Sequence, residues 1–155
     1  MEFSGDFQII FQLLLAVILG SLIGLEREFK RKEAGLQTYS LVALGTCIFT
    51  ILSFEVFNNF LGKAGISFDP SRVIQAVAIG IGFIGAGIII YRQFRVEGLT
   101  TAAGLWVTAA IGIAIGAKFY FLAILGTLFT VLILAGLGSL EEKVFKGKEL
   151  EEDEE

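Results

Sequence analysis

The sequence predicts an all-α fold, a polytopic membrane protein built as a bundle of about five transmembrane helices. Hydrophobic residue types make up 55% of the 155 residues and charged types only 18%, whereas an ordinary soluble domain is about a quarter charged. The mean hydropathy is +0.78. The charged residues lie in short islands between long apolar runs, so they could not cover the surface of a soluble domain of this size.

Five apolar runs are long enough to cross a bilayer, which takes roughly 20 residues of helix. The runs are continuous and lack the ten-residue alternation of membrane β-strands, so helices are what satisfies their backbone in lipid. Acidic residues precede the first run where a signal peptide would carry positive charge, so we expect that run to remain as a helix. One transmembrane domain, 1–140, is predicted with spans at 7–25, 40–57, 72–91, 100–117 and 119–140.

The distribution of basic residues predicts the orientation of these spans. Nine of the twelve Lys and Arg residues fall on one side, in the loops after the first and third spans and in the tail. Cytoplasmic loops are enriched in Lys and Arg, so an N-terminus outside and a cytoplasmic C-terminus are expected. The segment 141–155 is predicted to be an acidic, disordered cytoplasmic tail.

Several classes of chemistry are excluded by composition. The chain has no His and a single cysteine, Cys47, so disulfides, His-based metal ligation and His-dependent nucleophilic catalysis are ruled out. An enzyme is not expected. The net charge of −4, with acids interleaved in the most basic loop, argues against nucleic-acid binding. No cofactor is expected from these residues.

Small residues recur at helical spacing and predict close helix packing, because in lipid such residues let helix backbones approach. The expected use is packing within the chain. The alternative is that one stripe forms the seam of a homo-oligomer, with a dimer favoured, or lines a path. The predicted packing residues are Gly20, Gly24, Gly82, Gly85, Gly104, Thr108 and Gly112.

Polar residues near the start of the third span form the first candidate site. Asp69 can cap the helix, with Pro70 at its first position. Arg72 would point into the bundle and require an acidic partner. The predicted cluster binds an ion or ties helix ends together, with its metal unknown, and comprises Asp69, Arg72, Glu55, Ser71 and Gln75.

A second polar set is predicted at the cytoplasmic end. Glu26 and Arg27 lie where the first span leaves the membrane, and Thr100 or Thr101 can cap the fourth helix. Gly98 followed by free helix-start amides gives a weak anion-site signal. In the second span the hydroxyls of three residues either bond their own helix or line a polar path; they are Thr46, Thr50 and Ser53.

Taken together, these motifs resemble the MgtC/SapB family over roughly residues 10–140. The order and spacing of four blocks carry the resemblance: GSLIGLER at 20–27 with AGLQT and LVALG after it, DPSR at 69–72, GIGFIGAG at 80–87, and GLTTAA at 98–103 followed by LWVTAAIG. The matching positions are Glu26, Arg27, Gly35, Asp69, Ser71, Arg72, Gly82, Gly85, Thr100, Thr101 and Trp106.

The resemblance implies a bacterial inner-membrane protein linked to growth at low magnesium and to survival inside host cells. Such proteins are described as magnesium transporters, and also as regulators of other membrane complexes such as the ATP synthase. Two hypotheses follow: a protein of magnesium homeostasis coupled to Mg²⁺ transport, or a non-transporting regulatory subunit. The chain departs from the family pattern at Gln37 and Tyr39, where Arg and His are frequent.

Overall fold

A computed structural model describes residues 3–61, 69–92 and 94–137. Its main helices are α1 (Phe3–Phe29), α2 (Leu36–Phe60), α3 (Ser71–Ile88), α4 (Leu99–Gly116) and α5 (Tyr120–Leu132), and α5 continues as a π-helical turn, Ile133–Leu137. Two three-residue antiparallel strands, β1 (Ile90–Arg92) and β2 (Arg95–Glu97), form a hairpin between α3 and α4. Five helices are long and apolar enough to cross a membrane, which confirms the predicted fold class.

The helix boundaries differ from the predicted spans in two informative places. α1 runs past residue 25, so that Glu26 and Arg27 belong to its last turn. α3 ends at Ile88, and Tyr91, the expected end of the third span, lies in β1 instead. The β-branched pair Ile89 and Ile90 keeps the hydropathy high after the helix has ended, because such residues suit a strand equally well. The predicted tail 141–155 and residues 138–140 lie outside the described residues.

α4 is the central helix of the bundle and packs against each of the other four. Leu105, Thr108 and Ile115 are fully buried on it, whereas Trp106 points outward and is 55% exposed. α2 lies against both α1 and α4, while its contact with α3 is sparse. The surface of the bundle carries large apolar side chains, as a lipid-facing surface does.

Glycines of α1 and α4 allow these two helices to pack closely against α2. A Cβ at Gly20 would lie 2.8 Å from the Cβ of Ala43, and a Cβ at Gly24 would lie 2.8 Å from the Cα of Leu36. A Cβ at Gly112 would overlap Thr46 and the Ala43 carbonyl. These stripes therefore pack within one chain, as expected, and are not available as a seam between copies.

Of the other residues predicted to pack, three contact a neighbouring helix or their own helix and one does not. Gly104 faces the ring of Tyr39, and Gly85 of α3 faces the Cβ of Ala102 at 3.4 Å. Thr108 is buried, and its hydroxyl donates to the Gly104 carbonyl at 2.8 Å. Gly82 differs, because a Cβ there would meet nothing within 4 Å. The expectation that Gly82 packs against another helix of the chain is wrong for the described residues.

Most hydroxyls within the helices satisfy carbonyls of their own helix. Thr46 donates to the carbonyl of Val42 at 2.9 Å, and Thr50 donates to that of Thr46 at 2.8 Å. Of the two interpretations of the α2 hydroxyls, the structure supports this intrahelical one for both threonines. Ser53 differs, since it donates to the Pro70 carbonyl at 3.2 Å and so ties α2 to the start of α3.

Candidate functional sites at the two ends of the bundle

The bundle has two polar ends. The Arg27 end holds the C-termini of α1, α3 and α5 and the N-termini of α2 and α4. The Asp69 end holds the opposite termini.

A buried cation organises the Arg27 end. The side chain of Arg27 is only 3% exposed and forms an ion pair with Glu26. Its Nη2 donates to the carbonyl of Leu134 at 3.2 Å, and Lys30 Nζ donates to the same carbonyl at 2.9 Å. Lys30 also lies 3.0 Å from Glu26 Oε1. Carbonyls in the last turn of a helix lack intrahelical donors, so these two cations cap α5 where it becomes a π-helical turn.

A second group at this end joins the loop after α1 to the start of α4. Thr101 Oγ1 donates to Glu33 Oε2 at 2.7 Å, and the hydroxyl of Tyr39 donates to the Thr101 carbonyl at 3.2 Å. The hydrogen bond from Thr101, then that from its own backbone, holds the pKa of Glu33 below its ordinary value, with Lys32 and Arg27 adding to the effect. Thr100 is exposed and lies outside this group.

The bond between Glu33 and Thr101 also places an acid near the start of α4. Gly98 adopts φ +85°, a left-handed conformation in which a side chain is strained, and it precedes a helix with no acid in its first turn. The carboxylate of Glu33, bonded to Thr101 in that first turn, provides negative charge near the positive end of the helix dipole.

At the other end, Asp69 lies just before α3 and bonds its first residue. Its Oδ1 accepts the backbone N–H of Ser71 at 2.9 Å. Hydrogen bonding from Ser71, by its side chain and then its backbone, holds the pKa of the exposed Asp69 carboxyl below its ordinary value. The prediction that Asp69 is the N-cap, with Pro70 first in the helix, is off by one residue: Pro70 is the N-cap and Ser71 the first helical residue.

The other members of the predicted Asp69 cluster are not brought together. Arg72 and Gln75 are exposed, and among the described residues no ion pair joins Arg72 to Asp69 or Glu55. Arg72 lines an apolar groove between α2 and α3, whereas Glu55 lines a separate polar cavity. The expectation that Arg72 points into the bundle toward an acid is therefore wrong.

The polar cavity at the Asp69 end has a volume of about 590 Å³ and opens between the ends of α1, α2 and α4. Gln12 forms its deepest polar contact: Nε2 donates to the carbonyls of Ile115 at 2.7 Å and Gly116 at 3.0 Å. Lys118 Nζ donates to Gln8 Oε1 at 3.4 Å. The polar and charged residues lining the cavity are Asp6, Gln8, Gln12, Glu55, Asn58 and Lys118.

The sequence interpretation missed Gln8 and Gln12. Gln12 lies in the middle of the first apolar run and is 2% exposed. A polar side chain within a membrane span is itself a signal of function or of a specific partner, so this residue could have been singled out. Its partners could not, because they lie more than a hundred residues later in the chain.

The described side chains do not form a site that would surround a metal ion with protein ligands alone. Within the part of the chain that the structure describes, no three His, Cys, Asp or Glu side chains are grouped to hold a metal ion. Mg²⁺ commonly keeps several of its waters and contacts only one or two carboxylates. Asp6 and Glu55 in the cavity provide two.

Comparison with known proteins points to one family. The model of the MgtC family matches residues 13–143. The chain is 45% identical over 127 residues to "Putative magnesium transporter YhiD" of Escherichia coli K12, an alignment that covers 82% of this chain and 59% of that protein. It is 43% identical over 125 residues to Protein MgtC of Brucella abortus (81% of this chain, 49% of that protein). It is 37% identical over 149 residues to Protein SapB of Bacillus subtilis (96% and 64%).

The chain therefore spans between about half and two thirds of the length of these relatives. No solved structure matches it.

Proposed function

The chain belongs to the MgtC family of membrane proteins, and from this premise we propose that it acts in magnesium homeostasis by binding hydrated Mg²⁺ in the cavity at the Asp69 end. Family membership confirms the resemblance to the MgtC/SapB family in the sequence motifs. A relative bears the name of a magnesium transporter. The proposed substrate is thus a cation, and we propose no enzymatic activity.

The observation that carries this proposal is that two acidic residues, Asp6 and Glu55, line the same cavity. Asp6 lies at the start of α1 and Glu55 near the end of α2, so both carboxylates stand at the rim of the bundle, with Lys118 as the opposing charge. A volume of about 590 Å³ has room for an ion with its water shell, since one water takes about 30 Å³. Gln8 and Asn58 add amide oxygens that can accept hydrogen bonds from those waters.

Close packing forms the floor of this cavity. A Cβ at Gly116 would lie 2.8 Å from the Cys47 carbonyl and 2.6 Å from the Cβ of Thr50. In this conformation α2 and α4 thus meet backbone to backbone beneath the cavity. We propose that binding is the step this conformation performs, and that transport requires α2 and α4 to separate.

The test measures Mg²⁺ binding by titration calorimetry and Mg²⁺ uptake into liposomes containing the purified protein. We expect Asp6→Asn and Glu55→Gln each to weaken binding about tenfold, because a hydrogen bond to a charged group contributes about 1.5 kcal/mol. Asp69→Asn is the matched control, since this acid lies at the same end but outside the cavity lining. Equal binding by wild type and the double variant would exclude the cavity, and absence of uptake would exclude transport.

A second function, a regulatory subunit that docks on another membrane complex, draws support from α3. Gly82 and Gly87 meet no other residue within 4 Å, and Phe83 is 85% exposed. Small residues beside a bare aromatic side chain suit close approach of another helix. This outward face of α3 is our proposed contact for a partner complex or for a homodimer.

Gly82→Leu tests that contact, because the substitution enters open space and leaves the fold intact. We expect the variant to lose a co-purifying partner, or to run as a monomer where the wild type runs as a dimer. Identical partners and identical mass for both proteins would reject this function.

We propose a bacterial inner-membrane location with the Asp69 end outside and the Arg27 end in the cytoplasm. The excess of Lys and Arg in the loops of the Arg27 end supports this orientation. Reporter fusions after residues 31 and 61 test it, since the first should be active only as a cytoplasmic reporter and the second only as an external one. Reporters active on the same side would contradict the orientation.

A further inference from the structure

An open groove runs between α2 and α3, the two neighbouring helices that touch most sparsely. Its volume is about 910 Å³, and its walls are almost wholly apolar. Among the described residues that line it, Arg72 alone carries a charge. The side chains that define the two walls are Leu41 and Phe49 on α2 and Val73, Ala76 and Ile84 on α3.

Two glycines keep this groove open. Gly45 on α2 and Gly80 on α3 both line it, and a Cβ at either would meet nothing within 4 Å. A glycine weakens a helix interior relative to alanine. At Gly20 and Gly112 close contact with another helix offsets that loss, but no part of the described chain does so here. The groove thus has the shape of a site for a molecule from outside the chain.

The length of the groove matches one leaflet of a bilayer. From Arg72 to Ile84 the α3 wall extends about 18 Å at 1.5 Å per residue. One leaflet of hydrocarbon is about 15 Å deep, half of the usual core thickness. Arg72 is the second residue of α3, so it lies at the boundary where lipid phosphates begin.

The charge at this boundary is positive. Arg72 forms no salt bridge with another side chain of the described residues, although its charge acts on the nearby carboxylate of Asp69. The nearby Asp69 is tied to the N–H of Ser71. A guanidinium matches the paired oxygens of a phosphate. We propose that the groove holds one acyl chain of an anionic phospholipid, whose phosphate is bound by Arg72.

Native mass spectrometry of the purified protein tests this, with phosphatidylglycerol and phosphatidylcholine of identical acyl chains added in equal amounts. We expect the wild type to retain one lipid, with phosphatidylglycerol preferred roughly fivefold, which corresponds to about 1 kcal/mol for one basic group. Arg72→Gln should retain both lipids equally. Asp69→Asn should raise the preference, because it removes a nearby negative charge.

Leucine substitutions inside and outside the groove test whether the lipid binds in the groove. Gly45→Leu and Gly80→Leu fill the groove and should abolish lipid retention without lowering the melting temperature, since leucine favours the helix more than glycine does. Gly136→Leu is the matched control: a Cβ at Gly136 also meets nothing within 4 Å, but Gly136 lies in the π-helical turn after α5, outside the groove, so this variant should retain the lipid.

Three results would overturn the proposal. Equal retention of the two lipids by the wild type would remove the role of Arg72. Equal loss of lipid from Gly136→Leu and Gly80→Leu would show non-specific binding. A change in oligomeric mass on filling the groove, with lipid retention unaltered, would show that a second copy occupies it. None of these depends on whether the protein binds Mg²⁺.

Discussion

Thr101 of α4 donates a 2.7 Å hydrogen bond to the carboxylate of Glu33, which lies in the loop between α1 and α2 and is 68 positions away in the sequence. The contact joins this loop to two helices, α4 and α2, because Tyr39 of α2 in turn donates to the Thr101 carbonyl. It ties the start of the central helix to the loop that both α1 and α2 enter.

This contact should be measurable as a coupling energy. Thr101→Val keeps the shape of the side chain but removes the donor, and we expect the free energy of unfolding to fall by about 1–2 kcal/mol, as for a hydrogen bond to a charged group. Thermal or denaturant unfolding in detergent should show less than additive losses for Thr101→Val combined with Glu33→Gln. Fully additive losses would mean that the two side chains do not interact. Thr100→Val, at an exposed neighbouring position, is the control and should change little.

The same contact predicts a dependence of stability on pH. The pKa of Glu33 is lowered in the folded protein, chiefly by Thr101, so its contribution is present above the ordinary carboxyl pKa of about 4.3 and is lost as the pH falls through the lowered value. We expect the melting temperature of the wild type to drop below about pH 4.3, and that of Thr101→Val to drop less. Parallel curves for the two proteins would contradict the assignment.

Substitutions at two glycines should change the free energy of unfolding in opposite directions. Gly112→Ala places a methyl group against Thr46 and the Ala43 carbonyl, and overpacking of this kind costs about 2 kcal/mol. Gly82→Ala enters open space and should stabilise α3 by up to about 1 kcal/mol through helix propensity. Unfolding of both variants in the same detergent checks the prediction. Equal effects would mean that α2 and α4 are not in close contact at Gly112.

Removing the buried cation Arg27 should lower the free energy of unfolding more than removing its partly buried neighbour Lys30. Arg27→Met takes away the partner of Glu26 and a donor to the Leu134 carbonyl, and breaking a buried ion pair costs about 3 kcal/mol or more. Lys30→Met removes a side chain that is 27% exposed, and we expect a loss of about 1 kcal/mol or less. The ratio of the two losses, measured by thermal unfolding, is the test, and similar losses would contradict the burial of Arg27.

Much of the architecture was predictable because a bilayer imposes a simple rule. Runs of apolar residues long enough to cross it must be helical, so five helices, their order and the placement of the charges at their ends followed from hydropathy alone. The structure also places Gly20 and Gly112 at close contacts between helices, because a small residue allows close approach. Gly82 belongs to the same type of pattern and packs against nothing in the described chain, because a small residue creates space without specifying what fills it.

The candidate sites were predictable only in part. Glu26, Arg27 and Thr101 were recognised as polar groups at helix ends, but Glu33 was not, since a charged loop residue usually faces water. The prediction that Asp69, Glu55 and Arg72 form one cluster was wrong, because the sequence does not show which way each helix face points. All three lie near one end of the bundle, yet the rotation of α2 and α3 about their axes directs Glu55 and Arg72 into different concavities.

The sequence by itself determined how the chain crosses the membrane, because transfer of each side chain between water and lipid depends on that residue and its near neighbours. Only the tertiary structure decided which helix faces meet, which glycines are covered, and which polar groups share a cavity. Those relationships depend on pairs of residues far apart in the chain, such as Gln12 with Ile115 and Glu33 with Thr101. The position of each partner is fixed by the packing of every helix between them.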